Sequence, residues 1–359
     1  MTTPTARPAR TGRRSEAPAH RAASVAASDG RRPASPASPA SPTSPVRRVL
    51  RVLAIVACLP YIALKVTWIG GGRIGIPDGS ALLDHPTAMA VGNSLTVLAD
   101  AVVVLLALLL TRPWGLRVRA WLLVLPMWAA TGLLAPIMAG YPAQLVVALV
   151  TGQDGGSSGP ADEPFLDAWV FPVVYGGFIV QGLALGALFA LYARERWGHV
   201  WAGRLGELPG GLTGTGVRAT AVAATVLALL PTALTVLWAC GSTAGLSPEL
   251  AARHDADRAT VDAVRALFLV LAPLATLLLV TRRPAGLRTR TAMALTWVGS
   301  AAVGCWGAYM SLVSLLPLAD PGKEPTGLMI TAYAGEMITG FLLAGCLAVV
   351  LRRRGPADG

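Results

Sequence analysis

The sequence predicts an all-α membrane protein of about eight transmembrane helices, built as two tandem parallel four-helix repeats. Three observations predict it. The chain has 359 residues, 54% of them hydrophobic and only 14% charged, with a mean hydropathy of +0.58, whereas soluble domains carry about 25% charged residues. Eight apolar segments lie at 49–69, 87–110, 120–140, 166–192, 218–240, 259–280, 291–317 and 328–351. Each reaches the ~20 residues that a ~30 Å hydrocarbon core requires. Finally, three blocks of sequence recur in the same order.

Residues 1–46 end in "PASPASPASPTSP". Ser, Pro, Ala and scattered Arg offer no apolar run to bury, which predicts a disordered cytoplasmic tail that folding does not need. The first four-helix half is read as 47–193 and the second as 218–359. Between them, at 194–217, Trp197, Trp201, Leu205 and Leu208 recur at near-helical spacing beside Arg194, Arg196 and Arg204. That pattern predicts a cytoplasmic amphipathic linker, a short helix lying at the headgroup boundary. The stretch "AQLVVALV" at 143–150 is too short to span, and is read as an extension of the third segment or an interfacial piece.

The repeat is the strongest internal signal. "LPYIALKVTWIGGGRIG" (59–75) returns as "LPTALTVLWACGSTAG" (230–245), and "TRPWGLRVRAW" (111–121) as "TRRPAGLRTRTAM" (281–293). "VYGGFIVQGLALGALFALYARERWG" (174–198) returns as "AYAGEMITGFLLAGCLAVVLRRRG" (332–355). An even number of helices per half gives both halves one orientation, so the repeats are parallel about an axis along the membrane normal. Positive charge sets the direction. Of the 30 basic residues, 24 fall in residues 1–51 and in the segments around 111–119, 193–218, 281–290 and 352–354. Carboxylates such as Asp78, Asp154, Glu249 and Asp257 occupy the alternate loops. Both termini are therefore expected in the cytoplasm, with the chain in the inner (plasma) membrane. The same segregation accounts for the net charge of +11 without a nucleic-acid partner.

Ionisable side chains inside the bilayer cost roughly 2.5–3.5 kcal/mol each on insertion scales and tend to pair or to serve a function. They are read here as Lys65, Asp100, Arg265 and Glu336. Asn93, Thr96 and Asp100 share one helical face, and so do Tyr333, Glu336 and Gly340. The matched positions in the other half are Thr235, Leu271, Ser94 and Phe178, so each half contributes one cation and one anion that the other lacks. The candidate intramembrane polar site is therefore Lys65, Asn93, Asp100, Arg265, Tyr333 and Glu336, between the halves, for a small molecule or an ion. Arg265 and Glu336 lie at similar depth and are expected to pair. The competing reading is a set of interhelical salt bridges in a non-catalytic membrane scaffold or accessory subunit. Trp68 and Trp238, each followed by glycines (Gly71 and Gly75; Gly241 and Gly245), read as interfacial anchors before tight turns. Gly182 and Gly186, with Gly335, Gly340 and Gly345, read as a close-packed seam between the fourth and eighth helices.

Catalytic signatures are missing from the sequence. Cys58, Cys240, Cys305 and Cys346 stand singly, and His20, His85, His199 and His254 do not recur at ligand spacing. There is no HExxH, GxxxxGK[ST] or CxxC, and "GSSG" at 156–159 has no downstream intramembrane His. The expectation is thus no metal, no cofactor and no catalytic set, which leans away from an enzyme. The lipid bilayer is the one partner the sequence implies directly. Tyr61, Leu64, Lys65, Trp68 and Gly71 form a stretch that resembles a group of actinobacterial multi-pass integral membrane proteins with no assigned activity. That resemblance implies the membrane class and nothing about substrate or partners.

Overall fold

The computed structural model describes residues 44–80, 82–84, 86–152, 166–315 and 324–355. The expectations for the tail up to residue 43, for "GSSG" and for His85 lie outside the described residues. Among the described residues the fold is all-helical. The helices are α1 Pro45–Val56, α2 Leu59–Ile69, α3 Pro86–Leu109, α4 Ala120–Thr151, α5 Val170–Trp197, α6 Thr215–Ala239, α7 Pro248–Ala252, α8 Ala256–Thr281, α9 Thr289–Val313 and α10 Gly327–Arg354. The first expected segment is two helices because Pro60 has no N–H and its ring crowds the preceding turn. The third is longer than expected. α4 runs unbroken for 32 residues through Pro126, Pro136 and Pro142 and absorbs the stretch at 143–150.

Seven spans among the described residues are long and apolar enough to cross a membrane: α1 with α2, then α3, α4, α5, α6, α8 and α10. Their outward faces are apolar. On α3, Leu95, Leu98, Val102 and Leu105 are all exposed along one side, a patch that water would penalise and acyl chains would not. These spans are compatible with an integral membrane protein. The remaining long helix, α9, has the length, at 25 residues, but not the apolarity. It packs against α4, α8 and α10 and buries Thr296, Gly299, Ser300, Gly304 and Gly307. A helix packed against three others needs small residues for close approach more than it needs hydrocarbon solubility on those faces.

The glycine seam forms elsewhere than expected. α4 meets α9 and α8, whereas α5 and α10 are not a packed pair. At Gly132 on α4 even one added carbon would lie 2.7 Å from Ala301 carbonyl carbon on α9, so the two backbones touch there. Gly182 packs instead on Met138 of α4, and Gly340 on Gly304 of α9.

The segment after α5 is also different. Trp197, Trp201, Leu205 and Leu208 do not form an amphipathic helix. Three short 3-10 turns (Gly198–Trp201, Leu205–Glu207 and Gly210–Thr213) follow α5. Leu205, Leu208 and Leu212 are buried against Leu279, Met293, Leu347 and Val350. Backbone bonds tie this strap down: Leu205 N–H to Leu287 carbonyl at 2.9 Å and Thr289 N–H to Gly203 carbonyl at 3.0 Å. Arginines cap its carbonyls, Arg282 on Leu208 at 2.8 Å and Arg353 on Leu212 at 3.0 Å. The leucines cover protein, not headgroups.

At the opposite end, the two tryptophan turns have one geometry. Trp68 Nε1 donates to Ile74 carbonyl at 2.7 Å, and Trp238 Nε1 to Ala244 carbonyl at 3.0 Å. Gly71 and Gly241 have φ of 84° and 89°, Gly75 and Gly245 of 76° and 78°, a region that side-chain-bearing residues avoid. Both indoles are buried, at 6% and 1% exposure. They are clasps that close each turn, not anchors lying in the interface.

Candidate functional site

α8 starts at a fixed point because Asp255 caps it, its Oδ1 accepting from Arg258 N–H at 2.8 Å. That register puts Arg258, Asp262 and Arg265 on one face at i, i+4 and i+7. The Arg265 guanidinium donates to Asp262 Oδ1 at 2.9 Å and, across to α10, to Glu336 Oε1 at 2.6 Å. Its carbon lies 5.4 Å from the Tyr333 ring centroid. His254 closes the group: its Nε2 is 3.9 Å from Asp262 Oδ2, and its side chain is 4% exposed. The pairing expected from depth alone, Arg265 with Glu336, is therefore present, joined by two groups that were not anticipated.

This network forms one wall of a cavity of about 850 Å³, within the size range of small-molecule sites. α4 supplies Ile137, Tyr141 and Gln144, and α5 supplies Tyr175. Arg258, Asp262 and Arg265 of α8, Trp306 of α9 and Tyr333 of α10 complete it, with the segment 249–255 at the tryptophan-turn end. Tyr175 and Tyr333 occupy matched positions of the repeated block. The Tyr141 and Tyr175 rings pack 4.9 Å apart, and Gln144 Nε2 donates to Asp257 carbonyl at 3.3 Å. The chemistry on offer is aromatic surface plus a few fixed polar groups; among the described residues, no group of three or more His, Cys, Asp or Glu side chains is placed to hold a metal ion.

The other predicted residues stand apart. Buried Lys65 on α2 donates to Thr96 Oγ1 on α3 and sits 4.1 Å from the Tyr61 ring centroid. Asn93 is half-buried and uses its carbonyl to accept from Thr96 Oγ1 at 2.9 Å. Buried Asp100 faces Gln181 of α5 and feels the Lys65 charge, but no ion pair joins the two among the described residues, and Asp100 Oδ2 has no hydrogen-bond partner. Thus Arg265, Tyr333 and Glu336 come together, while Lys65, Asn93 and Asp100 form a second group on α2 and α3, outside the cavity lining.

Several lining residues escaped the sequence reading. Asp262 lies three residues before Arg265 inside an apolar segment, a spacing that announces a helical ion pair. Tyr175 was available as the repeat counterpart of Tyr333. His254 carries no sequence signal that distinguishes it from a loop histidine. Comparison of the chain with protein-family models, with curated proteins and with solved structures finds no match in any of the three.

Proposed function

We propose that this chain is an eight-span integral membrane protein whose two duplicated four-helix halves enclose a small-molecule or ion binding cavity open to the outside, with both termini cytoplasmic. The cavity of about 850 Å³ carries the reading, because its walls come from α4 and α5 on one side and α8, α9 and α10 on the other. α9 is the eighth span, packed against α4, α8 and α10. The matched tryptophan turns, with indole bonds of 2.7 and 3.0 Å, support duplication. Segregation of arginine to the opposite end supports the orientation.

The scaffold reading retains one supporting observation. Lys65 bonds Thr96 on the neighbouring helix, which is what a helix stitch does, so the α2–α3 group serves packing while the α8–α10 group serves the cavity. The test uses intact cells and a background in which Cys58, Cys240, Cys305 and Cys346 are alanine. Ile137→Cys should react with a membrane-impermeant maleimide applied outside. A thiol there that reacts only after the cells are permeabilised, or never, contradicts the reading.

A further inference from the structure

The polar groups of the cavity wall are unequally satisfied. Its carboxylates are engaged: Glu249 with Arg253 at 2.9 Å, Asp262 with Arg265 at 2.9 Å, Asp255 with the first turn of α8, and Asp257 in a contact of its own. Glu336, behind the wall, is also held by Arg265 at 2.6 Å. The groups left over are mainly donors. Arg258 is exposed, lines the cavity, and its guanidinium has no carboxylate within ion-pair distance among the described residues. His254 Nε2 is buried without a hydrogen-bond partner, 3.9 Å from Asp262 Oδ2. The hydroxyls of Tyr141, Tyr175 and Tyr333 have no hydrogen-bond partner among the described residues.

On the reading of this cavity as a binding site, we propose that its ligand is an organic anion. Its acidic group is held by Arg258, His254 and the tyrosine hydroxyls, and its flat apolar body packs against Tyr141, Tyr175 and Trp306. A guanidinium is suited to carboxylate, sulfonate or phosphate because its fork matches two acceptor oxygens. A cationic ligand faces the opposite arithmetic. To reach Asp262 or Glu336 it must displace Arg265, leaving a guanidinium without its partners, and the Tyr333 ring already carries Arg265.

The test needs no knowledge of the natural ligand. Ile137→Cys in the cysteine-free background is treated with two methanethiosulfonates of similar size, one bearing a sulfonate and one a trimethylammonium. The ratio of their rates is divided by the same ratio for a free thiol in solution. The normalised ratio should favour the sulfonate by about tenfold, fall toward one in Arg258→Gln, and persist in Arg258→Lys. A ratio favouring the ammonium reagent overturns the anion assignment and leaves the cavity standing, as does a ratio that Arg258→Gln does not change. If neither reagent reacts, the cavity reading fails and the anion assignment fails with it.

Discussion

Lys65 and Asp100 in the first half, and Arg265 and Glu336 in the second, are each a cation and an anion carried into the helix bundle. They are handled in opposite ways. Lys65 gives its hydrogen bond to a threonine and rests on Tyr61, and Asp100 leaves one oxygen without a partner. Arg265 binds two carboxylates at 2.9 and 2.6 Å, with His254 and Tyr333 around them, and the assembly borders a cavity. One cation and one anion thus stay loosely coupled around Lys65, whereas around Arg265 a second carboxylate, Asp262, closes a network. The difference lies in neighbours: Asp262 is available to Arg265 from its own helix, and no second carboxylate stands beside Lys65 among the described residues.

Breaking the tighter group should cost most. Glu336→Gln leaves the half-buried Arg265 short of its buried anion, and removing one member of a buried pair costs about 3–5 kcal/mol. Thermal unfolding of the purified protein in lipid nanodiscs should show that loss, and adding Arg265→Gln should recover part of it. If Glu336→Gln unfolds like the parent, the network is not a coupled unit. Lys65→Met should cost less, about 1 kcal/mol, because a single hydrogen bond to Thr96 is lost and the apolar stem is kept. A loss from Lys65→Met as large as that from Glu336→Gln would erase the distinction between the halves.

Much of this was legible in the chain. Apolar runs located the long helices because the bilayer sets a length that sequence either meets or does not. Arg265 and Glu336 were legible from their depth because both are expensive to bury alone. What failed did so for tertiary reasons. Trp68 and Trp238 look like interface anchors in sequence, but a carbonyl six residues on turns each indole inward. Leu205 and Leu208 have the spacing of a lipid-facing stripe, and nothing local says that Leu279 and Leu347 wait to cover them. The seam went to α4 and α9 because the backbones meet at Gly132, a lone glycine in a helix that also carries three prolines. The cavity itself was invisible: Tyr141, Tyr175 and Trp306 come from three helices whose order in space no periodicity encodes.

The central claim is that water reaches the Arg265 network and not the Lys65–Asp100 group. The most direct measurement places single cysteines at Val264, which lines the cavity, and at Val103, which is buried on α3, each in the cysteine-free background. Reaction with a membrane-impermeant maleimide from outside should modify Val264→Cys and leave Val103→Cys intact over the same period. Equal reaction at both positions, or reaction at Val103→Cys alone, would contradict the account.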